Sequence, residues 1–88
     1  MFYTYILRSR VTGQYYTGST SNLHARFQQH NSDESISTKN RGPWDLVHHE
    51  EFATLADAVR RELYFKTGRG REELRKVFGL DQSRSPAG

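Results

Sequence analysis

A chain of 88 residues with 34% hydrophobic residues and thirteen Lys+Arg against ten Asp+Glu supports one small domain with a single modest core. It has no cysteine, which excludes disulfides, thiolate metal sites and a cysteine nucleophile. No apolar run approaches the roughly 18 residues that a membrane-spanning helix needs, so a soluble, cytoplasmic domain without membrane association is expected. The net charge of +3 is mild but uneven: five basic and two acidic residues fall between Met1 and Trp44, and the rest of the chain balances at eight each. Such an excess suits phosphate attraction, although a lopsided solvated surface explains it equally well.

The first element expected is a β-hairpin. Phe2 to Leu7 and Gln14 to Thr17 are dense in β-branched and aromatic residues, and Gly13 between them can supply a positive φ. Alternation puts Phe2, Thr4 and Ile6 on one face and Tyr3, Tyr5 and Leu7 on the other. Both faces carry apolar bulk, so the sheet is expected to be covered on each side. Gly18-Ser19-Thr20-Ser21 is expected to break the strand and cap a helix from about Asn22 to His30. In that helix Leu23 and Phe27 face the core, and Asn22, Arg26 and His30 form a polar stripe of period four.

Asn31 to Pro43 lacks apolar periodicity and reads as a loop. Trp44 to Phe52 reads as a third antiparallel strand, with Trp44, Leu46, His48 and Glu50 alternating against Asp45, Val47, His49 and Glu51. His48 and His49 then point to opposite faces and cannot share one metal ion, so this cluster is expected to be sheet surface. Thr54-Leu55-Ala56-Asp57 resembles a capping box, followed by an apolar stripe of Leu55, Ala58, Val59 and Leu63 through Lys66. Gly68-Arg69-Gly70 is expected to end that helix. A last short helix, Arg71 to Phe78, is expected to supply Leu74, Val77 and Phe78 to the core. Together these elements make an α+β domain over residues 1–80, with 81–88 as a flexible tail.

The triplets Tyr3-Thr4-Tyr5 and Tyr16-Thr17-Gly18, with Arg26 and His30 following and Glu62 far downstream, resemble the GIY-YIG endonuclease superfamily, most closely its small standalone bacterial members. The resemblance covers roughly Met1 to Phe78. Each triplet alone is a weak signal; their order and spacing with Arg26, His30 and Glu62 are much stronger. This chain has Tyr3 where the family typically has Gly, Thr at both middle positions, and Ser19 where some members carry Lys. The resemblance implies a three-stranded antiparallel sheet flanked by helices, in agreement with the elements above. It also implies metal-dependent phosphodiester cleavage with one divalent ion, Mg²⁺ or Mn²⁺.

Cleavage of a phosphodiester needs a base for the attacking water, positive charge for the phosphate, and stabilisation of the leaving oxygen. On the resemblance, Tyr16 is the preferred base, with Tyr5 supporting it or exchanging roles with it. Arg26 holds a non-bridging oxygen through its planar fork, and His30 assists proton transfer. Glu62 is the metal ligand, since a hard cation can keep several waters and needs only one protein carboxylate. The plain alternatives are strand tyrosines under a helix, an exposed helix arginine, a solvated helix-end histidine, and Glu62 as an i,i+4 partner of Lys66. Ser19, Asn22, Lys39, Arg41 and Lys66 are candidate substrate contacts.

The expected partner is nucleic acid, DNA ahead of RNA, with weak sequence specificity unless a protein partner supplies targeting. Oligomeric state and biological setting stay open, DNA repair, restriction and recombination all being compatible. A non-catalytic nucleic-acid-binding module of the same fold is the alternative from a different class, and a protein-interaction domain is the third.

Overall fold

The computed structural model describes residues 1–32, 42–77 and 79. Lys39, Arg41, Phe78 and the segment 81–88 lie outside these described residues, as does most of the expected Asn31–Pro43 loop. Six elements follow in order: β1 (Phe2–Ser9), β2 (Tyr15–Thr20), α1 (Leu23–Asn31), β3 (Trp44–Phe52), α2 (Leu55–Phe65) and α3 (Gly68–Lys76). The strands form one antiparallel sheet in the order β2-β1-β3. The α+β class and the three-stranded sheet flanked by helices are therefore as expected.

The hairpin closes through Ser9 and Gly13. Gly13 adopts φ 77°, a conformation that L side chains avoid. The buried Ser9 hydroxyl accepts from the Val11 and Thr12 amides. Strand β2 runs on through Gly18, Ser19 and Thr20 instead of breaking there, because these residues pair with Tyr5, Thr4 and Tyr3 of β1. The cap of α1 is Asn22, whose Oδ1 accepts from the Ala25 amide at 3.1 Å.

As β1 sits between two strands and beneath helices on both faces, Thr4, Tyr5, Ile6 and Leu7 are all buried. On the α1 face Tyr5, Leu7 and Trp44 form a core, with Tyr16, Leu23, Phe27 and Leu46 against it. On the other face Ile6, Phe65 and Leu74 form a second, with Tyr15, Val47 and Tyr64 around it. The Thr4 hydroxyl donates to the Ala58 carbonyl at 2.6 Å, so the threonine in the middle of the first triplet ties β1 to α2.

Further expectations fail for identifiable reasons. A bulge between the partners of Ile6 and Leu7 inserts Val47, so the expected alternation along β3 does not persist. Leu46 packs on the α1 face, whereas the His48 ring meets Phe65 on the other, 6.2 Å away. Second, Leu55 and Leu63 are exposed rather than core. The sheet-facing side of α2 runs Ala58, Arg61, Glu62, Phe65, and its charged members are half-buried because they are paired. Third, Thr67 caps α3, which begins at Gly68, so the glycines open a helix and Val77 is exposed. Gly70 is required there, because a Cβ would collide with the Tyr64 and Phe65 backbone.

Arg61 is the hub on the α2 face. It pairs with Glu50 of β3 at 2.9 Å and Glu73 of α3 at 2.9 Å, and its guanidinium lies 4.3 Å from the Phe65 ring centroid. Glu50 also bonds His48 Nε2 at 2.8 Å, so the His48–Glu50 cluster is a half-buried network and not plain sheet surface. Burial pushes the Glu50 carboxyl up, but hydrogen bonds from Arg61 and His48 outweigh it and leave the group below its usual range. Among the described residues no helix is long and apolar enough to cross a membrane.

Candidate active site

Because β2 is an edge strand, its two faces and its open edge are all near solvent, and the expected catalytic residues gather around it. Strand alternation turns Tyr16 and Gly18 to the α1 face and Thr17 and Ser19 to the α2 face, as their partners Leu7, Tyr5, Ile6 and Thr4 show. The structure therefore builds two clusters that flank one strand.

On the α1 face Tyr5, Tyr16, Arg26 and His30 come together. Tyr5 is 1% exposed and His30 0%; Tyr5 Oη and His30 Nε2 are hydrogen-bonded at 2.9 Å. The His30 ring stacks obliquely on Tyr16, with centroids 4.9 Å apart. Gly18 lies beneath this group. A Cβ there would stand 2.6 Å from Tyr5 Oη and 3.2 Å from Tyr16 Cε2, so the glycine that closes the second triplet is the space in which the two phenols meet. That steric demand was not legible in the sequence.

Arg26, on α1 and half-buried, lies near enough to Tyr5 and Tyr16 for both to act on its charge. The Tyr5 hydroxyl holds the guanidinium above its ordinary range, with a smaller contribution from Tyr16. Gln29 Oε1 accepts from Arg26 Nη1 at 2.9 Å and fixes the fork. Burial pushes the Tyr5 phenol up to about 12 in spite of Arg26. Burial, with Arg26 adding repulsion, lowers His30 to about 4, so the imidazole is neutral near pH 7. Tyr16, by contrast, is partly exposed. A cleft of about 270 Å³ opens at the α2 side of β2, lined by Tyr15, Tyr16, Thr17, Phe65, Lys66 and Arg71.

On the α2 face the Ser19 hydroxyl donates to Glu62 Oε1 at 2.5 Å, and Lys66 Nζ pairs with Glu62 Oε2 at 2.8 Å. The Glu62 side chain is 18% exposed. Glu62 is thus both turned toward β2 and paired with Lys66 at i,i+4. It is near enough for its charge to act on Tyr5 from the other side of the strand. Its inward aim comes from Ser19 and the Ala58–Phe65 side of α2, not from the Leu55–Leu63 stripe.

Of the expected substrate contacts, Ser19 is turned to Glu62, Lys66 stands at the cleft, and Asn22 is occupied as a helix cap. Arg71 is brought to the cleft as well, although singly it reads as a solvated charge. Arg61 passed unnoticed in the sequence; its spacing from Ala58 and Phe65, i+3 and i−4, is the signal that marks it as sheet-facing. Among the described residues no group of three or more His, Cys, Asp or Glu is arranged to hold a metal ion.

The model of the GIY-YIG catalytic domain matches residues 1–75. A UPF0213 protein of Staphylococcus haemolyticus is 36% identical over 76 residues, covering 85% of this chain and 92% of the relative. One from Limosilactobacillus reuteri is 33% identical over 85 residues, covering 91% and 88%. The solution structure of a UPF0213 protein from Bacillus halodurans is 32% identical and superposes with a TM-score of 0.52, over 94% of this chain and 88% of that one. With the paired tyrosines, the glycine between them, Arg26 and Glu62 in place around β2, the chain belongs to the GIY-YIG catalytic domain family.

Proposed function

We propose that this domain is a metal-dependent endonuclease that hydrolyses phosphodiester bonds in nucleic acid, with DNA the first substrate to test. Family membership supports nuclease-type function in general. The observation that carries the finer reading is the difference between the two tyrosines: Tyr5 is buried and bonded to His30, while Tyr16 is partly exposed beside the same Arg26.

In this reading the Tyr16 oxygen, as phenolate, takes a proton from water as the water oxygen bonds to phosphorus and the leaving ester bond breaks. Arg26 is the cation beside the charge that the Tyr16 phenolate carries before the proton moves, and beside the charge that then develops on a non-bridging phosphate oxygen. Tyr5 keeps its proton and acts through position, and neutral His30 holds it there. Lys66 and Arg71 attract the backbone phosphates at the cleft.

A single carboxylate with all-oxygen chemistry around it fits a hard divalent ion that keeps its other positions for water and phosphate. Glu62 is the residue that would hold Mg²⁺ or Mn²⁺, and Ser19 orients it. When bound, such an ion neutralises charge on the phosphate and the leaving oxygen. The Lys66–Glu62 pair already compensates that carboxylate, which is the observation that favours the second reading, a nucleic-acid-binding module without turnover.

Cleavage of labelled single-stranded, duplex and branched DNA and of RNA, with Mg²⁺, Mn²⁺ or EDTA, separates the two. Metal-dependent cutting by the parent protein should fall by roughly 10²–10⁴-fold in Tyr16→Phe and be lost in Glu62→Ala, with both variants folded by circular dichroism. Salt-sensitive binding with no cutting under any metal would establish the binding module instead.

A further inference from the structure

Tyr3, the residue that replaces the family's usual glycine, has no part in the site described above. It lies on the α1 face two residues from Tyr5, where Thr20 pairs with it on one side and Glu51 on the other. At this end of the sheet a groove of about 470 Å³ opens between α1 and the sheet. Phe27 and Leu46 give it an apolar lining. The rings of Tyr3 and His49 stand side by side, centroids 6.4 Å apart, and His24 and Glu51 complete the rim. Tyr3 is half-buried and the other three polar side chains are exposed. Among the described residues none of the four has a hydrogen bond or ion pair.

We infer that this groove receives the base of a nucleotide next to the scissile phosphate, its ring against Tyr3 and His49 and an exocyclic amino group donating to Glu51. Aromatic faces stack any base, which supplies affinity without selection. A carboxylate only accepts, so it favours cytosine, adenine and guanine over thymine and uracil, whose O4 is also an acceptor. The place suits such a role: Thr20, the partner of Tyr3, follows Ser19, which holds Glu62, and Tyr3 is roughly 7 Å along the strand from Tyr5. A base in this groove is out of its stack, so the preferred substrate is single-stranded or unpaired at that nucleotide. The inference rests on the nuclease reading for the position of the phosphate, and not for the groove itself.

The test is binding without chemistry. The ¹⁵N-labelled chain is titrated in EDTA with cytidine monophosphate, uridine monophosphate and inorganic phosphate, following the amides of Tyr3, His49 and Glu51. Cytidine monophosphate should shift these signals with about fivefold tighter binding than its uridine counterpart, and phosphate alone should leave them in place. Glu51→Gln should bring the two nucleotides level, since an amide both donates and accepts, and His49→Ala should weaken both; both positions are exposed. Groove signals that stay fixed with either nucleotide, or that respond equally to the two in the parent protein, overturn the inference. Either result leaves the endonuclease reading to the cleavage assay, which needs no groove.

Discussion

The two faces of the sheet solve the problem of burying polar groups in opposite ways. On the α1 face the fully buried pair is neutral: a phenol pushed up to about 12 and an imidazole lowered to about 4 share one hydrogen bond under aromatic packing, and the one charge beside them, Arg26, stays half-buried. The α2 face keeps its groups charged, joining Arg61 to Glu50 and Glu73 across three elements. The α1 face is shaped around Gly18, whereas the α2 face joins the helices to the sheet and sets Glu62 beside β2. The reaction proposed at β2 draws on both, because one face supplies oriented hydroxyls and a guanidinium and the other supplies a carboxylate.

The largest stability effect expected lies on the charged face. Arg61→Met leaves Glu50 and Glu73 half-buried without their cation, and should cost about 2–3 kcal/mol, below the figure for a fully buried pair because the side chains stay partly solvated. Urea unfolding measures it, and adding Glu50→Gln and Glu73→Gln should recover part of the loss. A cost under about 0.5 kcal/mol would mean that the network does not hold the helices.

On the α1 face, Gly18→Ala should cost about 1–3 kcal/mol by forcing Tyr5 off His30. A double-mutant cycle with Tyr5→Phe, which removes the crowded hydroxyl, should show part of that cost relieved. Strict additivity would place the strain elsewhere.

The pH dependence sharpens the contrast further. Folded His30 takes up a proton only near pH 4, against an ordinary value of 6.5, so between these values the unfolded chain binds more protons. The contribution of neutral His30 is therefore intact above about pH 6.5, declines as the pH falls, and is lost below about 4. Thermal melts across this range should show a downward slope that His30→Gln reduces; equal slopes in the two proteins would contradict the burial of a neutral imidazole. Carboxylates such as Glu50 and Glu73, held low by their partners, give the acid loss common to both.

The smallest effect distinguishes the two readings of α2. Leu63 is 57% exposed, so Leu63→Gln should change stability by less than about 0.5 kcal/mol. A loss of about 2–5 kcal/mol, typical of a truncated core leucine, would restore Leu63 to the core.

Elements with strong local signals were legible. The Tyr-rich hairpin, the third strand and the Thr54 cap were expected near their observed positions, since alternation, turn chemistry and hydroxyl caps act over a few residues. Leu55 and Leu63 were misplaced for a physical reason: hydrophobic periodicity treats charge as a mark of exposure, and α2 buries charge by pairing it. The glycines at Gly68 and Gly70 read as a helix end, but one of them serves the close approach of α3 to the end of α2, which no local pattern announces. The Gly18–Ser19 strand end was shortened because glycine and serine favour turns until a partner strand claims their amides.

The chain's own order of residues determined that two tyrosine strands, a helix with Arg26 and His30, and a late Glu62 belong to one small domain of this family, because those features are spacings along the sequence. The tertiary structure decided which tyrosine is sealed and which is open, why Gly18 must lack a side chain, that Ser19 turns to Glu62 and not to the Tyr16 face, and that Tyr3 walls a groove. Burial, close approach and the face a side chain occupies depend on residues tens of positions apart, and only packing brings these together.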